Sequence, residues 1–260
     1  MAPHSFWKGY LKLSLVTCPV AMTPAVTESE KVRFHTLNRV TGNRVESRYV
    51  DAESGEPVDE DEEVKGYQSG ADQYVALEDE EVDSVALEST HTIDIDMFAP
   101  RDSISWIWYD RPHYLVPDDS VGEEAFSVIR DAMAATGMVG ISRLVLYRRE
   151  RAVMLEPRDQ GIVLWTLRYG DEVRDPSSYF ADFEGGKPNP KLLSLVTKLI
   201  DERTKAWDPE MVRDPVQQQL LQHIAAKKKG KPAPRAKRRS EPPSNVVNIM
   251  NALRRSIQSE

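Results

Sequence analysis

The chain has 260 residues, 40% of them hydrophobic and 29% charged, with a formal net charge of −8. Its only cysteine, Cys18, excludes an intrachain disulfide and a cysteine-based zinc site and fits a reducing cytoplasm, so stability has to come from packing. No run reaches the roughly 18 apolar residues of a membrane span, and the start MAPHSFWKGY lacks a signal peptide's apolar core, which points to an intracellular protein of one large domain or one domain with an appendage.

Taken in chain order, Leu11, Leu13 and Leu15 alternate with polar neighbours from Tyr10 to Val16, the period of a half-buried strand, and the Cys18-Pro19 step is expected to close it. In KVRFHTL, Lys31, Arg33 and His35 share one strand face while Val32, Phe34 and Thr36 share the other. After the turn-like Thr41-Gly42-Asn43, Arg44 and Arg48 repeat the cationic side and Val45 and Tyr49 the packing side, which predicts a hairpin with a basic surface. Residues 51–63 hold eight acids and read as a solvated loop. Short strands are expected at Gln73–Leu77, His91–Phe98, Ile104–Tyr109 and Tyr114–Pro117, separated by turn residues or a brief helical stretch. A helix is expected at Glu123–Thr136, where Phe126, Ile129 and Met133 fall at helical spacing. Strands resume at Val139–Arg149, Arg151–Pro157 and Gly161–Arg168. Many short strands around one or two helices define an α+β domain built on a small barrel or sandwich.

After Pro190 the pattern turns helical. Leu192, Leu195, Val196 and Leu199 mark one amphipathic helix, and Leu220, Leu221 and Ile224 a second, which Pro215 breaks or begins. Lys227–Arg239 then carries eight Lys/Arg and no acid; from His223 onward ten Lys/Arg stand against two Asp/Glu, which leaves −16 on residues 1–222. This is an acidic body with a basic arm, and a charge run of this kind is ordinarily a solvated tail, so the arm alone argues weakly for nucleic acid. The stretch Lys227–Pro243 has too few apolar groups to offset its ordering entropy and reads as a disordered linker. Beyond it Val246, Ile249, Met250, Leu253 and Ile257 make one face of a short helix that Ser244 or Asn245 can cap. Such a segment either docks back or binds a partner, and the partner is favoured.

No phosphate loop, HExxH, GxSxG or dinucleotide fingerprint occurs. His91 with Asp94 and Asp96 is the nearest approach to a metal site. On a strand, however, His91 points away from both carboxylates, so a solvated acidic face is the better reading and no metal or cofactor is expected. Cys18 has no base partner visible in the sequence and reads as a buried structural thiol. The five tryptophans mostly sit within apolar patterns; Trp207, before Asp208-Pro209, suits either a cap contact or a partner surface.

Several segments, in their order and spacing, carry a resemblance: Trp7-Lys8-Gly9 followed by LSLVTCPV, Phe34-His35-Thr36-Leu37, Lys65-Gly66-Tyr67, ESTHTIDIDMF, YDRPHYLVPD, GMVGISRLVLYRRE, LRYGDEVRD and PKLLSLVTKLID. Nearly end to end the chain resembles the bacterial Ku family, homodimeric DNA-end-binding proteins of non-homologous end joining. Residues 51–54 lack the cysteines some relatives have, so no thiol or zinc role is implied there. The resemblance implies a Ku-type β-barrel core over 1–190 with a DNA-encircling bridge at about 30–72. A helical region over 191–229, a basic disordered linker over 230–244 and a terminal amphipathic helix over 245–258 follow.

On this resemblance the protein is a nucleoid-associated, cytoplasmic, non-enzymatic ring that threads a double-stranded DNA end and recruits a multifunctional ATP-dependent DNA ligase of the ligase D type. A ring that accepts any end relies on phosphate contacts, which position without specifying sequence. The expected phosphate-facing set is Lys31, Arg33, Arg39, Arg44, Arg48 and Lys65 in the bridge and Arg143, Arg148, Arg149 and Arg151 in the following strand pair. Lys227, Lys228, Lys229, Arg238 and Arg239 form an auxiliary arm. Partner contacts are expected at Trp207, Leu220, Leu221, Ile249, Met250 and Leu253. The alternative is a protein-interaction scaffold whose tail merely touches nucleic acid; a nuclease using Asp94 and Asp96 ranks last.

Overall fold

Leu11 is fully buried while Leu15 is 98% exposed, because a two-residue turn at Ser14-Leu15, with Ser14 at φ 56°, divides the expected Tyr10–Val16 strand in two. The computed structural model describes residues 6–29, 31–85, 87, 89–182 and 185–230. Strands β1 (Trp7–Leu13) and β2 (Val16–Pro24) pair antiparallel from Trp7↔Met22 to Leu13↔Val16. Cys18-Pro19 therefore lies inside a strand instead of closing one. Tyr10, opposite Pro19, turns its N–H away to the His91 carbonyl at 2.8 Å, and the ladder on the other side of β2 begins only at Val20. No neighbour needs the donor that proline lacks.

The expected basic hairpin does not form as a pair of strands. Between residues 31 and 50 the backbone makes only isolated bridges, Leu37↔Arg44 within the segment and Val50↔Pro57 out of it. The reversal at 41–43 is present, but Phe34, Leu37 and Tyr49 stay 70%, 58% and 72% exposed. With nothing among the described residues to cover its apolar side, the alternation has no burial to convert into a ladder. The sheet of this region is instead β3 (Lys65–Gly70) with β4 (Gln73–Leu77), exposed throughout, followed by α1 (Asp79–Ser84), whose capping box joins Glu78 and Glu81. β3 was not expected, since KGYQSG has no alternation to read.

Five further strands, β5 (Thr92–Pro100), β6 (Tyr109–Pro117), β7 (Met138–Leu146), β8 (Arg149–Arg158) and β9 (Gly161–Leu167), join β1 and β2 in a closed barrel of order β1-β2-β6-β9-β8-β7-β5. Every seam is antiparallel except the closing one, where β1 meets β5 in parallel over Tyr10↔Thr92, Leu11↔Ile93 and Lys12↔Asp94. Ile104–Tyr109 is not the expected strand. It winds through a 3-10 turn at Trp106–Trp108, closed by Trp108 N–H on the Ser105 carbonyl at 3.0 Å, because the neighbouring ladder to β9 starts only at Tyr109.

The barrel core is filled by Leu11, Val20, Met22, Ile93, Leu115, Val153, Leu155 and Leu164. Helix α2 (Glu123–Thr136) closes over it with Phe126, Ile129 and Met133, the three residues its spacing marked. It ends at Gly137, whose φ of 67° is the left-handed cap that glycine takes without strain before β7 begins. Glu156, only 4% exposed, accepts from Arg101 Nε at 2.6 Å and Trp165 Nε1 at 3.2 Å.

His113, on β6, is 5% exposed, and burial holds its imidazole below the ordinary histidine value. The unfolded chain therefore binds a proton before the folded one does, so stability is complete above about pH 6.5 and falls as the pH drops below it. A melting series from pH 7.5 to 5 should show a smaller acid loss in His113→Gln than in the parent. Equal losses would place the proton elsewhere.

These elements belong to one compact unit, residues up to Ser29 with His35–Arg174; a second holds residues 31–34 and those from Asp175 onward. In the second, α3 (Ser177–Phe180), α4 (Pro190–Arg203) and α5 (Pro215–Lys228) contain no buried residue. Proline opens both longer helices at a position where its missing N–H costs nothing. Asn189 Oδ1 accepts from Lys191 N at 3.0 Å, and Asp214 Oδ1 from Val216 N at 2.8 Å and Gln217 N at 3.2 Å. Asp214→Ala should cost α5 about 1 kcal/mol, read as faster amide exchange in its first two turns. No described helix is long and apolar enough to cross a membrane. The terminal helix expected over 245–258 lies outside the described residues, as does the linker beyond Gly230.

Candidate nucleic-acid interface

The exposed stretch of residues 35–58 is pinned by two consecutive reversals. In the first, Asn38 and Asn43 are bridged by N–H to carbonyl at 2.8 Å, Val45 N–H reaches the Thr36 carbonyl at 3.1 Å, and Asn38 Oδ1 accepts from Val40 N at 2.8 Å. In the second, Asp51 Oδ1 accepts from Glu53 N and Ser54 N at 2.9 and 2.8 Å, and these bonds hold the carboxyl below the usual carboxylate range. Side-chain capping thus does what a strand ladder was expected to do: it fixes where Arg39, Arg44 and Arg48 leave the backbone.

The expected cationic set divides by its surroundings. Arg33, Arg39, Arg44 and Arg48 are exposed and make no ion pair among the described residues. Lys31 is exposed as well; it and Arg33 belong to the second unit. By contrast Arg143 pairs with Glu150 at 3.0 Å and Arg148 with Asp83 at 2.6 Å. Arg151 lies 3.7 Å from Asp110 and 5.2 Å from the centre of the Tyr169 ring. Lys65 is bound to Asp79, which raises its pKa. Arg149, opposite Leu146 at the start of β8, is exposed. A cation already matched by a carboxylate has less to gain from a phosphate, so Arg33, Arg39, Arg44 and Arg48 are the stronger electrostatic candidates.

Lys227, Lys228 and Lys229 occupy the end of α5, where positive charge suits the carbonyl end of a helix. Arg238 and Arg239 lie outside the described residues. Of the partner-binding candidates, Trp207 is 72% exposed, Leu221 is exposed and Leu220 half-buried; Ile249, Met250 and Leu253 lie outside the described residues. Sequence reasoning missed the uncovered apolar surface that accompanies the arginines: Phe34, Leu37, Val40, Tyr49, Tyr67 and Tyr74 are all more than half exposed. The signal available was the acidic, turn-rich composition around them, which provides no core to receive those side chains.

Among the described residues no group of three or more His, Cys, Asp or Glu could hold a metal ion. Asp94 is bound to Lys12 at 2.6 Å, Asp96 sits at the β5 bulge, and His91 stacks on Trp7 with its Nδ1 3.0 Å from the Lys8 carbonyl. Burial, helped by the Asp119 charge, raises the Cys18 thiol above its ordinary value, which suits a packed thiol and not a nucleophile.

A closed seven-stranded barrel that carries cationic side chains on a long, capped insertion belongs to the class of β-barrel binding scaffolds. Residues 12–195 match the family described as Ku: Ku70/Ku80 beta-barrel domain, and the chain belongs to the Ku family. It is 66% identical over 262 residues to the non-homologous end joining protein Ku of Methylocella silvestris, covering 99% of this chain and 96% of that one. It is 58% identical to the protein of that name from Gluconacetobacter diazotrophicus (100% and 99% covered) and 56% identical to the one from Allorhizobium ampelinum (100% and 97% covered).

Proposed function

We propose that the chain is a non-enzymatic, sequence-independent clamp on double-stranded DNA ends that works as a homodimer in non-homologous end joining. The observation that carries this reading is the pairing, on one insertion, of exposed arginines that make no ion pair among the described residues and apolar side chains that the described residues leave exposed. Arginines of that kind suit a phosphate backbone, and the bare apolar groups suit a second copy of the chain. The eight acids of residues 51–63, all exposed, disfavour a polyanion on that part of the surface. The helical region over 191–229 recruits an ATP-dependent ligase, with Trp207 and Leu221 as exposed apolar contacts, and the segment over 245–258 binds a partner protein. The basic arm adds salt-dependent affinity.

The test compares a linear duplex with the same sequence as a covalently closed circle. End threading predicts strong preference for the linear form, and equal affinity would sink it. Deleting residues 227–260 separates the clamp from a scaffold with a sticky tail: a clamp retains end binding, whereas a scaffold loses it.

A further inference from the structure

The insertion that carries the arginines is exposed at every position from 31 to 57 except Val32, which is half-buried. The N–H of Val32 donates to Gln217 Oε1 at 3.1 Å, across 185 positions of sequence. Residues 31–34 accordingly belong to the second compact unit with α5, whereas Ser29 and the chain from His35 onward belong to the first. The insertion is therefore held on α5 at its root before it enters the reversals that present Arg39, Arg44 and Arg48. Lys31 and Arg33 flank the held residue directly.

Gln217 is itself held in place. Its N–H is one of the two that Asp214 Oδ1 caps at the start of α5, at 3.2 Å, and it begins a half-buried face that continues through Leu220 and Ile224. Helical spacing alone would suit a leucine there, and ordering a glutamine side chain costs rotamer freedom. The helix gains no bond of its own from the side-chain oxygen, which goes instead to residues 31–34. These lie in no ladder, so the Val32 N–H has no strand neighbour to receive it. The polar residue at position 217 thus serves the insertion and not the helix.

We infer that Gln217 is a positioning residue for duplex binding: it fixes the root of the insertion on α5, so that Lys31, Arg33 and the arginines beyond them are presented from a held chain. The inference rests on the clamp reading for its ligand. A segment already fixed near its bound form pays less ordering entropy when it binds. Linkage is reciprocal, so a duplex on these cations firms the start of α5, and a partner that firms α5 strengthens duplex binding by the same factor.

The test is amide exchange in the full chain, with and without a saturating linear duplex. Without DNA, Gln217→Leu should speed exchange at residues 31–34 about fivefold, the worth of one hydrogen bond, whereas Gln217→Glu keeps an acceptor at the same reach and should not. Asp214→Ala, which loosens the cap on Gln217, should speed exchange at residues 31–34 as well as in α5. With the duplex bound, exchange at residues 216–220 should slow in the parent and not in Gln217→Leu. That variant should bind the duplex about fivefold more weakly at an unchanged salt slope, because no phosphate contact is lost. A general loss of fold would instead speed exchange in α2, which should keep the parent's rate. Exchange at residues 31–34 that ignores both Gln217→Leu and Asp214→Ala would overturn the inference, as would a bound duplex that leaves residues 216–220 unchanged. A parent chain that binds no linear duplex is a separate result: it would sink the clamp reading, and this role of Gln217 with it.

Discussion

The triple variant Arg39→Ala/Arg44→Ala/Arg48→Ala is expected to bind a linear duplex more weakly at every sequence and to lower the slope of log affinity against log salt by roughly three units. Each phosphate contact releases counterions worth a slope of about 0.9, so three lost contacts remove about 2.7. Between 50 and 200 mM salt the parent should then lose about 40-fold more affinity than the variant. All three side chains are exposed and make no ion pair among the described residues, so the fold should be unaffected. Arg143→Ala and Arg148→Ala should each change the slope by less than one unit, because Glu150 and Asp83 already occupy those guanidinium groups. An unchanged slope in the triple variant, or a loss that depends strongly on sequence, would remove these arginines from the interface.

Gly9→Ala is expected to destabilise the barrel by about 3 kcal/mol, the upper end of the usual cost of overpacking, and to lower its melting temperature by roughly 6–12 °C. A methyl group at Gly9 would overlap both the His91 carbonyl oxygen and the six-membered ring of Trp7. The carbonyl is backbone and accepts the Tyr10 N–H at the seam that closes the barrel, so relief requires moving the seam itself. Gly170→Ala is the control. Nothing lies within 4 Å of a methyl group there, so its melting temperature should match or slightly exceed the parent's. Equal melting of Gly9→Ala and the parent would show that the seam yields easily.

The elements most legible in the sequence were those whose side chains enter the core. Phe126, Ile129 and Met133 placed α2 to the residue, and the runs of β7, β8 and β9 were found to within a few residues, because burial imposes the periodicity that reveals them. Where nothing is buried the same reasoning was uneven: β4 stands at Gln73–Leu77 as expected, but other exposed segments depart from their pattern. Residues 31–50 alternate like a strand pair without forming one, and β3 forms without alternating. Trp106 and Trp108 mimic a strand period yet wind into a 3-10 turn, since spacing alone does not say whether a neighbouring strand is there to pair.

The sequence showed the residue types of the candidate site and not their ion pairing. Arg148 and Asp83 are 65 positions apart in sequence and meet only because the fold brings α1 to the β7–β8 turn. No reading of local pattern could tell Arg44, which faces solvent, from Arg148, which is already answered by an acid.

The parallel seam between β1 and β5 has a bearing on how this architecture can vary. Residues 25–91 leave the barrel at the end of β2 and return at the start of β5, and both exits are tied to it, Ala25 N–H to the Pro112 carbonyl at 3.0 Å and Tyr10 N–H to the His91 carbonyl at 2.8 Å. With its ends fastened in this way, the excursion is a closed loop, whose entropy grows only logarithmically with length. Ten added residues would cost about 0.1 kcal/mol. Evolution or design can therefore change the length of the excursion almost without consulting the barrel, so that the two parts are free to adapt at different rates.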